Sequence, residues 1–268
     1  MLAKRGMTIK NRGQITIFIV VGLIIVSGVV LFFLLKTKVT PQIGGKTEVN
    51  ANAFLSSCIE QKTKEAINEL SIRGGELNST LNINFMFTKE KVYRNISYLC
   101  YTQNNFRPCV VQKPTISLDM QNGIKNYISD DMSSCFTEML NNFKTQGFAV
   151  GENSKLSGFE VIFGPNKVII QTVSEVTLTK TDETTTQKNF QVIVPSRIYE
   201  IIGVVQEVVN QEAEFCHFED SGFTVAYPEF SIDKYGMESG VMIYTIGNKV
   251  SGEKFRFAVR SCAILPGF

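Results

Sequence analysis

The distribution of apolar residues separates one long uncharged segment from a remainder in which apolar and polar positions alternate. From Ile15 to Leu35 no residue is charged, and most are Ile, Val, Leu or Phe. A helix rises about 1.5 Å per residue, so this segment would reach roughly 30 Å, the thickness of the hydrocarbon core of a bilayer. Soluble helices rarely run this long without a polar face. The pattern therefore predicts a transmembrane helix over residues 15–35.

Three later segments carry apolar residues at the three- and four-residue steps of an amphipathic helix. The first covers residues 53–70 and is followed by Arg-Gly-Gly, a helix stop. The second runs from Ser117, which is suited to cap a helix, to residue 147, a glycine suited to close one. The third covers residues 196–215. We predict a helix for each of these segments.

Alternation with a period of two predicts strands between and after these helices. Residues 81–87 and 92–101 alternate on either side of a short polar turn and predict a β-hairpin. After residue 147 we predict strands over 158–163, 167–180, 189–195, 223–227, 240–247 and 253–262, with a polar turn over 181–187. Since each helix is followed by consecutive strands, the predicted class is α+β with an antiparallel sheet and three helices, rather than alternating parallel α/β.

The flanks of the apolar segment predict its direction in a membrane. Four Lys or Arg residues precede it and two follow it, and the more basic flank normally stays in the cytoplasm. We therefore expect a single-pass protein in contact with the lipid bilayer, whose parts are a basic cytoplasmic tail over 1–14, a transmembrane helix over 15–35, a stalk over 36–52 and an extracytoplasmic α+β domain over 53–268. A subdivision of that domain near residues 102–116 stays open.

The charge balance argues against a nucleic-acid partner. The formal net charge of the chain is +2, but residues 1–38 hold six of the 27 Lys and Arg residues and no Asp or Glu. The remainder carries 21 basic and 25 acidic residues. A nucleic-acid-binding domain normally shows a basic excess, so the basic tail is interpreted as a topology signal.

All six cysteines lie beyond the apolar segment, and an even number in an exported domain predicts disulfide bonds. Six cysteines allow 15 pairings, and the sequence alone does not decide among them. Proximity along the chain favours Cys216 with Cys262 and Cys100 with Cys109, which leaves Cys58 with Cys135. There is no Cys-x-x-Cys and only one histidine, so a structural metal site, which usually needs four such ligands, is not predicted.

No motif for catalysis or cofactor binding is found, and we predict no enzyme activity and no cofactor. The single histidine, His217, follows Cys216 and precedes Glu219 and Asp220. We interpret it as part of a polar turn after a helix, where a cation is favoured by the helix dipole. Two Asn-x-Ser/Thr sequons predict glycosylation acceptors at Asn78 and Asn95.

The junction before the apolar segment, Arg12-Gly13-Gln14, resembles the class III signal peptides of archaeal type IV pilin-like proteins. The start "GQITIF" is also similar to that of single-pass membrane proteins of archaea with small genomes. The first resemblance implies cleavage between Gly13 and Gln14, with the apolar helix forming the core of a filament. Pilins of this kind commonly carry Glu as the fifth residue after the cut, whereas this chain has Phe18. The difference favours a membrane anchor over a filament core.

These observations predict a cell-surface protein whose N-terminus is cytoplasmic and whose role is structural, adhesive or that of a complex subunit. Its expected partners are other surface proteins or further copies of itself. Two alternatives stay open: a pilin-like filament subunit processed before Gln14, and a membrane-anchored enzyme with an unrecognised site.

Overall fold

The structure is a computed structural model, and it describes residues 22–23, 25–27, 50–88 and 90–262. The chain divides into two units, Met1–Glu48 and Val49–Phe268. In the first unit the described residues are helical. Within the described part of the chain, none of the helices has the length and apolar character needed to cross a membrane. This finding contradicts the prediction of a transmembrane helix over 15–35. The rest of that range, residues 1–14 and most of the predicted stalk lie outside the described residues.

The second unit is an α+β domain, as predicted, but it has more helices than the three expected. In chain order the described helices are α1 Ala51–Ser71, α2 Ile116–Tyr127, α3 Ser129–Thr145, α4 Ile198–Phe215 and α5 Asp220–Ala226. The strands are β1 Asn82–Phe87, β2 Val92–Tyr101, β3 Val110–Val111, β4 Ala149–Val150, β5 Lys155–Gly164, β6 Lys167–Lys180, β7 Glu183–Lys188, β8 Gln191–Pro195, β9 Phe230–Gly236, β10 Val241–Asn248 and β11 Lys254–Arg260.

Helix α1 shows how the local sequence sets the limits of an element. The side chain of Asn50 accepts a hydrogen bond from the backbone N–H of Ala53 at 3.0 Å, which satisfies one of the free donors at the helix start. At the other end the N–H of Gly75 bonds the carbonyl of Leu70 at 2.9 Å. Gly75 has a φ of +92°, a conformation that a residue with a Cβ rarely adopts. The helix therefore starts two residues before the predicted position and ends one residue after it.

The long helix predicted over 117–147 is two helices, α2 and α3. They meet at Ile128, whose ψ of 5° departs from the helical value of about −42°. Ile124, Ile128 and Met132 are all fully buried, so the apolar stripe continues across the break. The sequence periodicity does not indicate the break, because the break changes the backbone conformation but leaves the apolar side chains buried.

Two further predictions are wrong because the local backbone conformation differs from the one that the apolar pattern indicates. Residues 223–227, predicted as a strand, lie mostly in helix α5, whose first turn is capped by the Glu219 carboxylate bonding the N–H groups of Ser221 and Gly222. The polar turn predicted over 181–187 is shorter, because Thr181 and Asp182 alone form it with φ values of 47° and 67°. Two successive positive φ values make the tight turn that suits a hairpin, so the following residues pair as β7.

The first sheet has the order β1-β2-β11-β10-β9, with β3 also pairing with β2. The pairs are antiparallel except for β2 and β11, which run parallel. The prediction of a purely antiparallel sheet is therefore wrong. The parallel neighbours lie more than 150 residues apart in the chain, and the alternation of apolar residues within a strand carries no information about such a distant partner.

The second sheet is built around the long strand β6. Strands β5 and β4 pair with one edge of it, and β8 and β7 pair with the other, all antiparallel. Helices α1 and α4 each contact strands of both sheets. A helical layer thus lies between the two sheets, and it explains why α4 is apolar on most of its circumference, with Ile and Val buried from residue 198 to residue 209.

The opposite face of the first sheet carries a smaller apolar cluster that includes Ile96, Ile243 and Ala258. The β1–β2 hairpin folds over this face. Phe85 on β1 lies 4.8 Å from Tyr235 on β9, measured between ring centroids, although these strands form opposite edges of the sheet. The sheet is therefore strongly curled.

Candidate binding groove

A groove of about 590 Å³ lies between helix α4, helix α5 and the start of strand β9. Its volume falls in the range of about 300–1,000 Å³ that is usual for ligand sites. Three carboxylates line it: Glu200 and Glu207 from α4, and Glu229 from the segment before β9. The rings of Phe223 and Tyr227 form the α5 side.

The spacing of residues on α4 creates the acidic wall. Glu200 and Glu207 are seven residues apart, about two helical turns, so they lie on the same side of the helix. Gly203 lies between them, and a Cβ added there would meet no atom within 4 Å. The absence of a side chain at this position leaves the wall open between the two carboxylates.

Glu200 has one engaged and one unengaged carboxylate oxygen. Oε1 accepts a hydrogen bond from the N–H of Asn166 at 2.9 Å and another from the guanidinium of Arg197 at 3.5 Å. Oε2 is buried and has no hydrogen-bond partner among the described residues. Arg197 is the one cation among the described residues of the lining. The groove is therefore acidic, and it retains a buried acceptor oxygen.

The aromatic side of the groove is ordered by ring packing. The rings of Phe223 and Tyr227 lie 4.7 Å apart, and Tyr227 is half exposed. Phe223 in turn packs against Phe218, which is fully buried, at a centroid distance of 5.6 Å. The faces of such rings carry partial negative charge, so they add to the acidic character of the groove.

Helix α5 has no buried residues, and polar contacts hold it in place. The ammonium group of Lys234 on β9 donates to the carbonyl of Phe218 at 2.5 Å and to the carboxylate of Asp220 at 2.7 Å. The hydrogen bond from Lys234 to the carboxylate of Asp220 lowers the pKa of Asp220 below its ordinary value. The lysine thus fixes the start of the helix that forms one side of the groove.

Beneath this helix lies a buried acid, Glu212. Its side chain is 4% exposed and accepts a hydrogen bond from the hydroxyl of Tyr244, which is itself buried. Burial raises the pKa of Glu212, while the bond from Tyr244 and the charge of Lys234 oppose the increase. Burial also raises the pKa of Tyr244. Glu212 does not line the groove, so we assign it to the support of α4 and α5.

Disulfide bonds join the cysteines of the domain, which confirms the prediction that such bonds form. The bonded pairs are Cys58 with Cys135, Cys100 with Cys109 and Cys216 with Cys262. Proximity along the chain had favoured the last two pairs, and the first was the pair that they left. Cys58–Cys135 ties α1 to α3. Cys216–Cys262 ties the end of α4 to the residues after β11, so it supports the turn that leads into α5.

The other residues singled out in the sequence do not converge on a site. Asn78 is exposed in the loop before β1, and Asn95 is exposed on β2, so both sequons are accessible. His217 is exposed and lies 3.9 Å from the carboxylate of Glu219, outside the groove. Gly13 and Gln14 lie outside the described residues. Across 50–88 and 90–262, no three His, Cys, Asp or Glu side chains are arranged to hold a metal ion.

Sequence reasoning did not find the groove. The seven-residue spacing of Glu200 and Glu207 was a usable signal, but exposed acids on an amphipathic helix are common. Other lining residues come from distant parts of the chain: Phe223 from α5, which was predicted as a strand, Tyr227 and Glu229 from the segment between α5 and β9, Phe230 from β9, and Asn248 from the end of β10. In comparisons with known proteins, neither a protein family nor a curated protein matches the chain.

Proposed function

We propose that the chain is an exported, cell-surface protein with a structural or adhesive role, or that of a complex subunit. In this proposal the groove binds a basic segment of its partner. The observation that carries the proposal is the pairing of all six cysteines in disulfide bonds. Such bonds persist in oxidising compartments and are rare in the cytoplasm.

The charge of the groove supports a cationic partner. Three carboxylates face one guanidinium, and Glu200 presents a buried oxygen that a Lys or Arg side chain of the partner would bond. A hydrogen bond to a charged group contributes about 1.5–3 kcal/mol. The exposed ring of Tyr227 would add a cation–π contact of about 0.5–2 kcal/mol.

We assign no catalytic reaction to the groove. The described lining consists mainly of carboxylates, aromatic rings and one guanidinium. Carboxylates and aromatic rings suit recognition of a cation, and this agrees with an adhesive or subunit role.

Location is tested on intact cells that express the chain with a C-terminal epitope. A reagent that does not cross membranes should label lysines of the domain, such as Lys254, to the same extent as those of a known surface protein. Peptide mapping without reduction should recover the three disulfide-linked peptide pairs. Six free thiols, or labelling only after cell lysis, would contradict the proposed location.

Binding is tested by titrating the purified full chain with a lysine-rich peptide and, separately, with a glutamate-rich peptide of equal length. We expect saturable binding of the basic peptide alone, weakened by salt because exposed charges are screened. Glu229→Gln should weaken it about ten-fold by loss of a charged contact, and Tyr227→Leu by a similar factor through loss of the cation–π contact. Glu214→Gln, at an exposed acidic residue of α4 outside the groove, is the matched control. Equal affinity in all variants would contradict the assignment of the groove.

A further inference from the structure

A second concave site lies on the domain and is lined by different chemistry. It has a volume of about 350 Å³ and is formed by the last turns of α1, the β5–β6 turn, the junction of β8 with α4, and the β10–β11 turn. We call it the polar pocket. Arg197 is the one described residue that lines both this pocket and the acidic groove.

The charged groups of the polar pocket are mainly cationic. Lys64, Arg197 and Lys254 line it, against a single carboxylate from Glu253. Lys64 is paired with Glu60 at 2.5 Å, whereas Lys254 makes no ion pair within the described part of the chain. Arg197 pairs with Glu200 through only one guanidinium nitrogen, at 3.5 Å. Lys254 is thus the unpaired cation of the described lining, and it favours an anionic ligand.

The carboxylate of Glu253 is already engaged by the protein. Its Oε1 accepts the hydroxyl of Ser196 at 2.5 Å, and its Oε2 accepts the N–H of Arg197 at 2.6 Å. It thereby occupies the positively polarised start of helix α4. Its charge is directed to the helix, which leaves the ammonium group of Lys254 to a ligand.

The wall of the pocket also holds an unsatisfied hydroxyl. Ser71 is 1% exposed, and its Oγ has no hydrogen-bond partner among the described residues. The side chains of Asn68, Asn166 and Ser251 line the same pocket. Amides and hydroxyls both donate and accept hydrogen bonds, so they match the hydroxyl groups of a ligand.

The volume distinguishes between small anions. At about 30 Å³ for each water, the pocket corresponds to roughly ten water volumes. A single phosphate or carboxylate ion would leave most of this space and the amide groups unused. A ring that bears one carboxylate and several hydroxyls would use both the cations and the amides.

We propose that the polar pocket binds a small polyhydroxylated anion of the hexuronate class. Its carboxylate pairs with Lys254 and Arg197, and its hydroxyls bond Ser71 and the asparagine amides. This inference goes beyond the proposed function, because it concerns a separate site and does not depend on what the acidic groove binds.

Isothermal titration of the purified full chain with glucuronate, glucose and inorganic phosphate tests the proposal. We expect saturable binding of glucuronate, with glucose and phosphate at least about ten-fold weaker. Lys254→Gln and Ser71→Ala should each weaken glucuronate binding by about ten-fold, the effect of losing a hydrogen bond in a charged complex. Lys155→Gln, at an exposed position on β5, should leave it unchanged.

Each other outcome overturns the proposal. Equal binding of glucose would show that the cations are not used, and equal binding of phosphate would show a simple anion site. Absence of saturable binding, or glucuronate binding that neither variant weakens, would remove the site altogether. Lys254 is exposed, so its variant tests the pocket even if Ser71→Ala disturbs folding. Glu229→Gln in the acidic groove should not affect glucuronate binding, which separates the two sites.

Discussion

Replacing Glu90 by glutamine tests the contact that holds the β1–β2 hairpin on the outer face of the first sheet. Glu90 lies in the hairpin turn, and its carboxylate bonds both terminal nitrogens of the Arg256 guanidinium on β11. The Arg256 side chain is only 7% exposed and also lies 3.9 Å from the centre of the Phe87 ring. The variant leaves this buried cation without its counter-charge.

The expected loss follows from the burial of the two partners. Removing one member of a fully buried ion pair costs about 3–5 kcal/mol. The Glu90 side chain is 35% exposed, and glutamine keeps one acceptor oxygen, so water and the amide offset part of this cost. We expect the free energy of unfolding to fall by about 2 kcal/mol. For a domain of this size that corresponds to a decrease in Tm of about 4–8 °C.

The pH dependence provides a second observable. The hydrogen bond from Arg256 holds the pKa of Glu90 below its ordinary value of 4.5. A carboxylate with a lowered pKa contributes stability that is present above pH 4.5 and is lost as the pH falls through its folded pKa. The wild-type chain should therefore lose more stability than Glu90→Gln on acidification below pH 4.5.

Urea denaturation followed by circular dichroism measures both effects. Glu60→Gln is the control, because Glu60 pairs with Lys64 on the exposed side of α1, and such pairs contribute about 0.3–0.5 kcal/mol. A loss of less than about 0.5 kcal/mol in Glu90→Gln, equal to that of the control, would refute the argument that the hairpin is held by a buried ion pair.

Three further predictions concern the helices. Burial holds the pKa of Glu212 above its ordinary value of 4.5, so the free energy of unfolding of the wild-type chain should fall as the pH rises from 4.5. Glu212→Gln should flatten this pH dependence in urea denaturation, and an unchanged slope would contradict the prediction. Glu253→Ala should lower the free energy of unfolding by about 1–2 kcal/mol, because it leaves donors at the start of α4 without an acceptor; an unchanged denaturation midpoint would exclude this role. Replacing Cys58 and Cys135 together by alanine should lower the free energy of unfolding by about 4 kcal/mol in the same assay, since their bond spans a sequence separation of 77 residues. A loss under about 1 kcal/mol would contradict the loop-entropy argument.

The elements that the sequence predicted well are those whose hydrophobic pattern is read within one segment. Helix α4 and the β1–β2 hairpin follow the expected periodicity, because each buries a continuous stripe or face. The errors occur where a short-range polar contact overrides the pattern. The Glu219 cap converts residues 220–226 into a helix, although Phe223, Val225 and Tyr227 alternate like a strand.

The acidic groove lay beyond sequence reasoning for a different reason. Its carboxylates include Glu229, which meets Glu200 and Glu207 only because α5 turns the chain back toward α4. The polar pocket likewise joins α1 to the β10–β11 turn, nearly 200 residues away. No local pattern encodes such encounters, since each segment is compatible with many packing partners.

The sequence by itself determined the α+β class and most of the helix and strand positions, because burial of apolar side chains has a period that local sequence records. It also pointed to disulfide bonds, through the number and distribution of the cysteines. Only the tertiary structure decided the parallel pairing of β2 with β11, the break at Ile128 and the convergence of Glu200, Glu207 and Glu229. These features depend on contacts between distant segments, whose geometry is set by the packing of the helical layer between the two sheets.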